Sequence, residues 1–166
     1  NFREIAVHGE TGEERVHVAD DDGRVVRLTV DEGVRVRGVA VPGPNEPLTA
    51  LCDIGELLFA ADTTGRLYQS PAGRRWRSRR LVAGIVTALA VDADGLLAVT
   101  RDGAVYSGIR SFSEPPDGLE TLPPDVTPHD AVGRGESAIV AGSDGHLLLR
   151  ESADRFDGVT VGTTAG

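Results

Sequence analysis

Five arginines and the chain's single tryptophan crowd into seven consecutive positions: Arg74, Arg75, Trp76, Arg77, Arg79 and Arg80, interrupted only by Ser78. Guanidinium groups present planar forks of donors that match carboxylate or phosphate oxygens two at a time, and an indole beside them adds an aromatic face. That chemistry describes a partner-binding patch for an acidic protein surface or a nucleic acid. The same run also suits the outer edge of a β-sheet, with Trp76 turned inward and the arginines guarding the rim or pairing with nearby Asp and Glu. With 26 acidic against 17 basic residues, the net charge is −9. An acidic surface repels sequence-independent nucleic-acid binding, so the expected partner is a protein.

Other reactive side chains do not assemble into a recognisable site. Cys52 is the only cysteine, too few for an internal disulfide or for most of a zinc site, and its apolar run Leu48-Thr-Ala-Leu-Cys52 marks it as a small core residue. His8, His17, His129 and His146 lack ligand spacing, and His17 and His146 flank hairpins at surface or strand positions. The acidic turns Asp20-Asp21-Asp22-Gly23 and Asp92-Ala93-Asp94-Gly95 resemble the start of a calcium loop but never reach its bidentate glutamate. Aspartate is favoured in such turns because it bonds its own backbone. Neither a phosphate-cradling glycine loop nor a Ser/His/Asp arrangement is recognisable. The expectation is no catalytic residue, no cofactor and no metal.

These residues ride on a repeat. Four phrases share one grammar, an aliphatic run, small residues, a polar turn ending in glycine and a second apolar run. They occupy 16–28, 57–68, 96–106 and 138–149, and their turn glycines Gly23, Gly65, Gly103 and Gly145 are spaced by 42, 38 and 42 residues. An Asp-Gly or Thr-Gly pair supplies the positive-φ positions of a tight hairpin, so each phrase is two antiparallel strands. A further strand precedes each hairpin, at 4–8, 48–52, 86–91 and 129–132, and Thr-Ala-Leu recurs at 49–51 and 87–89. A fourth run follows at 34–41, 75–82, 119–122 and 159–161. Useful helical periodicity is absent, and nine prolines with 21 glycines would interrupt it.

Four-stranded units repeating about every forty residues predict an all-β protein, a β-propeller of four recognisable blades. The blades fall near 3–43, 47–83, 85–124 and 128–162 of a single domain spanning 1–166. The first strand of each would line the axis, where small residues such as Ala50 and Ala88 fit, and the polar fourth would form the outer edge. Blade three carries a long insertion, Ser111-Phe-Ser-Glu-Pro-Pro-Asp-Gly118, with Pro123-Pro124 after it, a loop suited to recognition or to plain connection. Opening on an inner strand and ending on an outer one, the chain offers no strand to clasp a ring. A closed four-bladed ring, a homodimer through the terminal blades and part of a larger propeller all stay open.

The turn Tyr68-Gln-Ser70-Pro-Ala-Gly73-Arg-Arg-Trp76 resembles the BNR or Asp-box repeat, including the Ycf48-like (photosystem-assembly-factor-like) propellers. It keeps Ser70, Gly73 and Trp76 but lacks the aspartate, while Arg150-Glu-Ser152-Ala-Asp154-Arg-Phe156 keeps Ser, Asp and an aromatic but lacks the glycine. WD40 signatures fit less well, since no Trp-Asp or Gly-His pair recurs at blade spacing. The resemblance implies a propeller fold in which the Asp-box is a peripheral turn device, and it transfers no activity. A sialidase-like hydrolase on that scaffold would need an arginine cluster, a Tyr–Glu nucleophile pair and an acidic proton donor. Tyr68 and Tyr106 hold equivalent third-strand positions, which marks them as repeated packing residues.

A chain with no lysine, rich in Gly, Ala, Val, Asp and Arg, fits a GC-rich genome, haloarchaeal or actinobacterial. No apolar run reaches the roughly twenty residues of a membrane-spanning helix, so no membrane insertion is expected. No basic-then-apolar leader opens the chain, and a lone thiol fits a reducing cytoplasm. The chain contains no methionine, even at its start, which fits a trimmed sequence. The function expected is a non-catalytic scaffold for protein–protein interaction or assembly. The rivals are a BNR-like glycan hydrolase or lyase with a diverged site, and a carbohydrate or small-ligand binding module.

Overall fold

The computed structural model describes residues 2–8, 15–20, 22–31, 35–41, 43–54, 57–71, 74–151 and 156–160. They form four antiparallel four-stranded sheets, each in simple sequence order. Sheet 1 contains β1 (Phe2–His8), β2 (Arg15–Asp20), β3 (Val25–Asp31) and β4 (Arg35–Val41). Sheet 2 contains β5 (Leu48–Ile54), β6 (Leu57–Asp62), β7 (Leu67–Pro71) and β8 (Arg77–Arg79). Sheet 3 contains β9 (Val86–Asp92), β10 (Gly95–Thr100), β11 (Ala104–Ile109) and β12 (Gly118–Thr121). Sheet 4 contains β13 (Pro128–Arg134), β14 (Ser137–Gly142), β15 (His146–Glu151) and β16 (Phe156–Thr160). The all-β reading and the four strands per repeat therefore hold.

All four repeat glycines have positive φ, at 74° for Gly23, 80° for Gly65, 84° for Gly103 and 75° for Gly145. The turn chemistry differs from expectation in three sheets. The residue before the glycine, Asp22, Thr64 or Asp102, does not share its positive φ. The glycine amide instead bonds back to the carbonyl three residues earlier, at Asp20, Asp62 or Thr100. That residue's side chain then takes the amides across the turn. Asp20 Oδ1 accepts from the Asp22 and Arg24 amides, and Thr100 Oγ1 from the Ala104 amide. Only sheet 4 has the two-residue form, with Asp144 (φ 55°) and Gly145 both positive and the His146 amide donating to the Ser143 carbonyl. The acidic turns are thus occupied by their own backbone, and Asp92 Oδ1 likewise accepts from the Asp94 amide.

A second repeated feature sits in the first strands. Each carries a register shift against its partner at one extra residue, Arg3, Thr49, Thr87 and His129. Such a bulge bends and twists the strand. At two of them the threonine hydroxyl stabilises the irregularity: Thr49 donates toward the Ala61 and Asp62 carbonyls and Thr87 toward the Val99 carbonyl, all at 3.3 Å.

The chain divides into two compact units, residues 1–80 with sheets 1 and 2 and residues 81–166 with sheets 3 and 4. Within each, the sheets meet through their first strands, β1 beside β5 and β9 beside β13. The first unit's core joins Ala19 and Val25 to Leu48, Leu51, Ala60 and Tyr68. In the second, Ala88, Ala90, Leu97, Val99 and Val105 of sheet 3 face Ala138, Val140 and Leu148 of sheet 4. Small residues permit this approach. A Cβ on Gly133 would lie 1.6 Å from the Val91 carbonyl oxygen, so only glycine fits there.

Candidate functional site

The arginine-rich segment leads into and forms the fourth strand of sheet 2. The Arg74 amide bonds the carbonyl of Pro71, the last residue of β7, at 3.0 Å. β8 then pairs with β7 through Leu67↔Arg79, Tyr68↔Ser78 and Gln69↔Arg77. Arg74, Arg75, Arg77, Arg79 and Arg80 are exposed, whereas Trp76 is half-buried against the first unit's core. The half-buried indole therefore seats the strand against that core. Strand alternation puts Arg77 and Arg79 on one side and Ser78 on the other, where Ser78 Oγ accepts from Arg66 Nη1 at 3.2 Å. Arg66 is an added member of the group, legible in hindsight because it follows Gly65 as Arg24 follows Gly23. Between Asp62 and Asp92 the chain holds six arginines and no acidic residue.

The third strands bear out the equivalence of the two tyrosines. Tyr68 pairs with Ala60 and Tyr106 with Ala98, the same register position in sheets 2 and 3. The Tyr68 hydroxyl donates to Asp62 Oδ2 at 2.8 Å, and the Tyr106 hydroxyl accepts from the Ala83 amide at 3.2 Å. Burial first, then the hydrogen bond and charge of Asp62, push the Tyr68 hydroxyl well above its ordinary value. Burial alone would raise Asp62. Hydrogen bonds from the Thr64 and Tyr68 hydroxyls and from the Arg66 and Thr64 amides outweigh it and hold the carboxyl below its usual range.

A buried histidine–carboxylate contact and a buried ion pair were not legible in the sequence. His17, expected at a surface or strand position, lies on β2 but is buried, its Nδ1 2.7 Å from Asp53 Oδ2 of β5. In the second unit Arg150 of β15 is 2% exposed and donates from Nη1 to Asp92 Oδ2 of β9. Its Nε lies 3.4 Å from Glu120 Oε1 and its Nη2 3.9 Å from Asp94 Oδ2. Three carboxylates surround one buried guanidinium, and the Arg150–Asp92 hydrogen bond ties sheet 4 to sheet 3. The only sequence hints were a histidine between Val16 and Val18 and an arginine closing the run Leu147-Leu148-Leu149.

Cys52 is partly buried, and its thiol is pushed up to about 12 by burial and then by the Asp53 charge, against a backbone hydrogen bond at Asp53. Among the described residues no three His, Cys, Asp or Glu side chains gather to hold a metal ion. Among them, too, no helix is long and apolar enough to cross a membrane. Of the two Asp-box-like turns, Ser70 is fully buried on β7, whereas Ser152 and Asp154 lie outside the described residues. The loop at 110–117 is tied down by Arg110, whose Nε donates to the Asp94 carbonyl at 3.0 Å, and by the Asp117 amide bonding the Ser107 carbonyl.

No protein-family model matches this chain, and no curated protein sequence matches it. Solved structures do. The chain is similar to the WD40 β-propeller domain of Doa1 at 14% identity and a TM-score of 0.65, over 99% of this chain and 55% of that one. It is similar to Raptor from Chaetomium thermophilum at 14% identity and TM-score 0.67, over 96% of this chain and 17% of that one. It is also similar to Ycf48, solved with a D1 peptide bound, at 12% identity and TM-score 0.54, over 96% of this chain and 54% of that one. At these identities the likeness defines the fold, that of a β-propeller. The chain spans about half the length of the Doa1 and Ycf48 chains and a smaller share of Raptor.

Proposed function

We propose that this protein is a non-catalytic β-propeller scaffold, its four sheets the blades near 3–43, 47–83, 85–124 and 128–162 of one domain. It engages an acidic segment of a partner protein through Arg74, Arg75, Arg77, Arg79 and Arg80. The observation that carries the reading is a run of exposed guanidinium groups on the short edge strand β8, in a chain otherwise strongly acidic. Half-buried Trp76 seats the strand, which fixes the order in which the guanidinium groups are presented. The Ycf48 structure holds a peptide, which makes a peptide segment a reasonable partner for a propeller of this type.

A glutamate-rich decapeptide titrated at low salt tests this, with Trp76, the only tryptophan, as the fluorescent reporter. Binding should weaken steeply with salt and drop at least about tenfold in Arg75→Glu/Arg77→Glu. No binding at low salt, or equal binding by the variant, would sink the proposal. Preference for single-stranded DNA over the peptide would replace it with a nucleic-acid function.

A further inference from the structure

We propose that the acidic partner segment binds as an added strand, antiparallel along the open edge of β8, with a carboxylate side chain at every second position. The proposal rests on the arginine reading and names the form of peptide that the site selects. β8 is the last strand in the order of sheet 2, and its three residues are all exposed. The hydrogen-bond phase of the sheet fixes which backbone groups face that edge. The Asp62 amide bonds the Arg66 carbonyl at 3.1 Å, which makes these two a hydrogen-bonded pair. Such pairs alternate with non-bonded ones along an antiparallel ladder. Counting on from there, Tyr68 and Ser70 turn their N–H and C=O groups toward β6, and Leu67 and Gln69 turn theirs toward β8. Pro71, which has no N–H, falls on a non-bonded pair, as this phase requires. Leu67 and Gln69 stand opposite Arg79 and Arg77, so those two arginines bond inward through their backbones. The N–H and C=O of Ser78 therefore point outward along the open edge.

Charge then selects the guest. An open edge invites any extended chain, and charged residues are the usual means of keeping strands away from it. Arg77 and Arg79 share one side of β8 and flank Ser78. Their partners on β7 are Gln69 and Leu67, so no carboxylate of the adjacent strand meets them. In sheet 1, by contrast, Arg35 of the fourth strand stands opposite Asp31. The fourth strands of sheets 3 and 4 contain Glu120 and Asp157, of the wrong sign for an acidic guest. At β8 a basic strand is repelled and a neutral one gains no charge pair. A strand with Glu or Asp opposite both Arg77 and Arg79 gains two cross-strand pairs of opposite charge. The residue between them faces Ser78 and exchanges both backbone hydrogen bonds with it. The arginines thus filter what may pair with this edge.

The test changes the peptide and leaves the protein as it is, so no variant has to fold. Binding is followed at low salt through the fluorescence of Trp76, the only tryptophan. A peptide alternating Glu and Ser should bind at least about fivefold more tightly than an isomer with its glutamates grouped in blocks. N-methylation of the serine amides, which face β8, should weaken the alternating peptide at least about tenfold. N-methylation of the glutamate amides, which face away, should change its affinity less than about twofold. Equal binding by the two isomers overturns strand addition and leaves the arginine reading standing. So does a methylation effect that is absent, reversed or the same at both positions. No binding by any of these peptides overturns both.

Discussion

The Tyr68 hydroxyl lies 2.8 Å from Asp62 Oδ2, while Asp62 Oδ1 takes the Thr64 amide and hydroxyl, both at 2.7 Å, and the Arg66 amide at 3.1 Å. One carboxylate thereby joins the hairpin turn to the middle of the next strand. Its stabilisation depends on charge. Because the folded carboxyl sits below its ordinary value, the contribution is complete above the unfolded value near about 4 and is lost as pH falls through the folded value. Asp62→Asn should cost about 1–2 kcal/mol at pH 7 and progressively less below about pH 4. Tyr68→Phe should cost a similar amount by leaving a buried carboxylate oxygen short of one donor. Urea unfolding from pH 3 to 8 measures both, and a pH-independent penalty for Asp62→Asn would contradict the charge argument.

Gly133 and Gly135 separate two reasons for glycine. A Cβ on Gly133 meets the Val91 backbone at 1.6 Å, whereas Gly135, at φ 60°, has nothing within 4 Å of that position. Gly135→Ala should cost only the left-handed backbone penalty, about 1–2 kcal/mol. Gly133→Ala must push strand from strand and should cost about 4 kcal/mol or more. Thermal unfolding of the two variants would settle the ranking, and equal losses would mean that β9 and β13 do not pack this closely.

Cys52 should be inert in the native protein. With its thiol near 12, the thiolate fraction at pH 8 is about a thousandfold below that of an ordinary cysteine. Ellman's reagent at pH 8 should react rapidly only after urea unfolding, and prompt native labelling would be the contrary result.

The repeat was legible because its signals are local. A turn glycine needs positive φ whatever surrounds it, so Gly23, Gly65, Gly103 and Gly145 set the register of all four sheets from spacing alone. The edge position of the arginine segment was legible for the same reason, since a fourth strand follows each hairpin. His17 and Arg150 were opaque because a buried polar contact is defined by a partner from another sheet, 36 residues from His17 to Asp53 and 58 from Arg150 to Asp92. Neither spacing nor composition encodes that meeting. The paired Thr-Ala-Leu phrases mark kinship between strands, but only the ladder register shows them to be bulge sites.

The extra residue in each first strand also bears on how the repeat tolerates change. Counting from the extra residue to the turn glycine gives sixteen positions in sheets 2, 3 and 4 (Thr49 to Gly65, Thr87 to Gly103, His129 to Gly145). Sheet 1 is longer, with twenty positions from Arg3 to Gly23, and its four added residues fall between the end of β1 and the start of β2. An insertion inside a paired strand would carry the kink out of step with the hairpin and turn a first strand's inward residues outward. Length variation between repeats is therefore confined to the connections between strands. The loop between β11 and β12 is such a place, and it is where a grafted peptide would disturb this fold least.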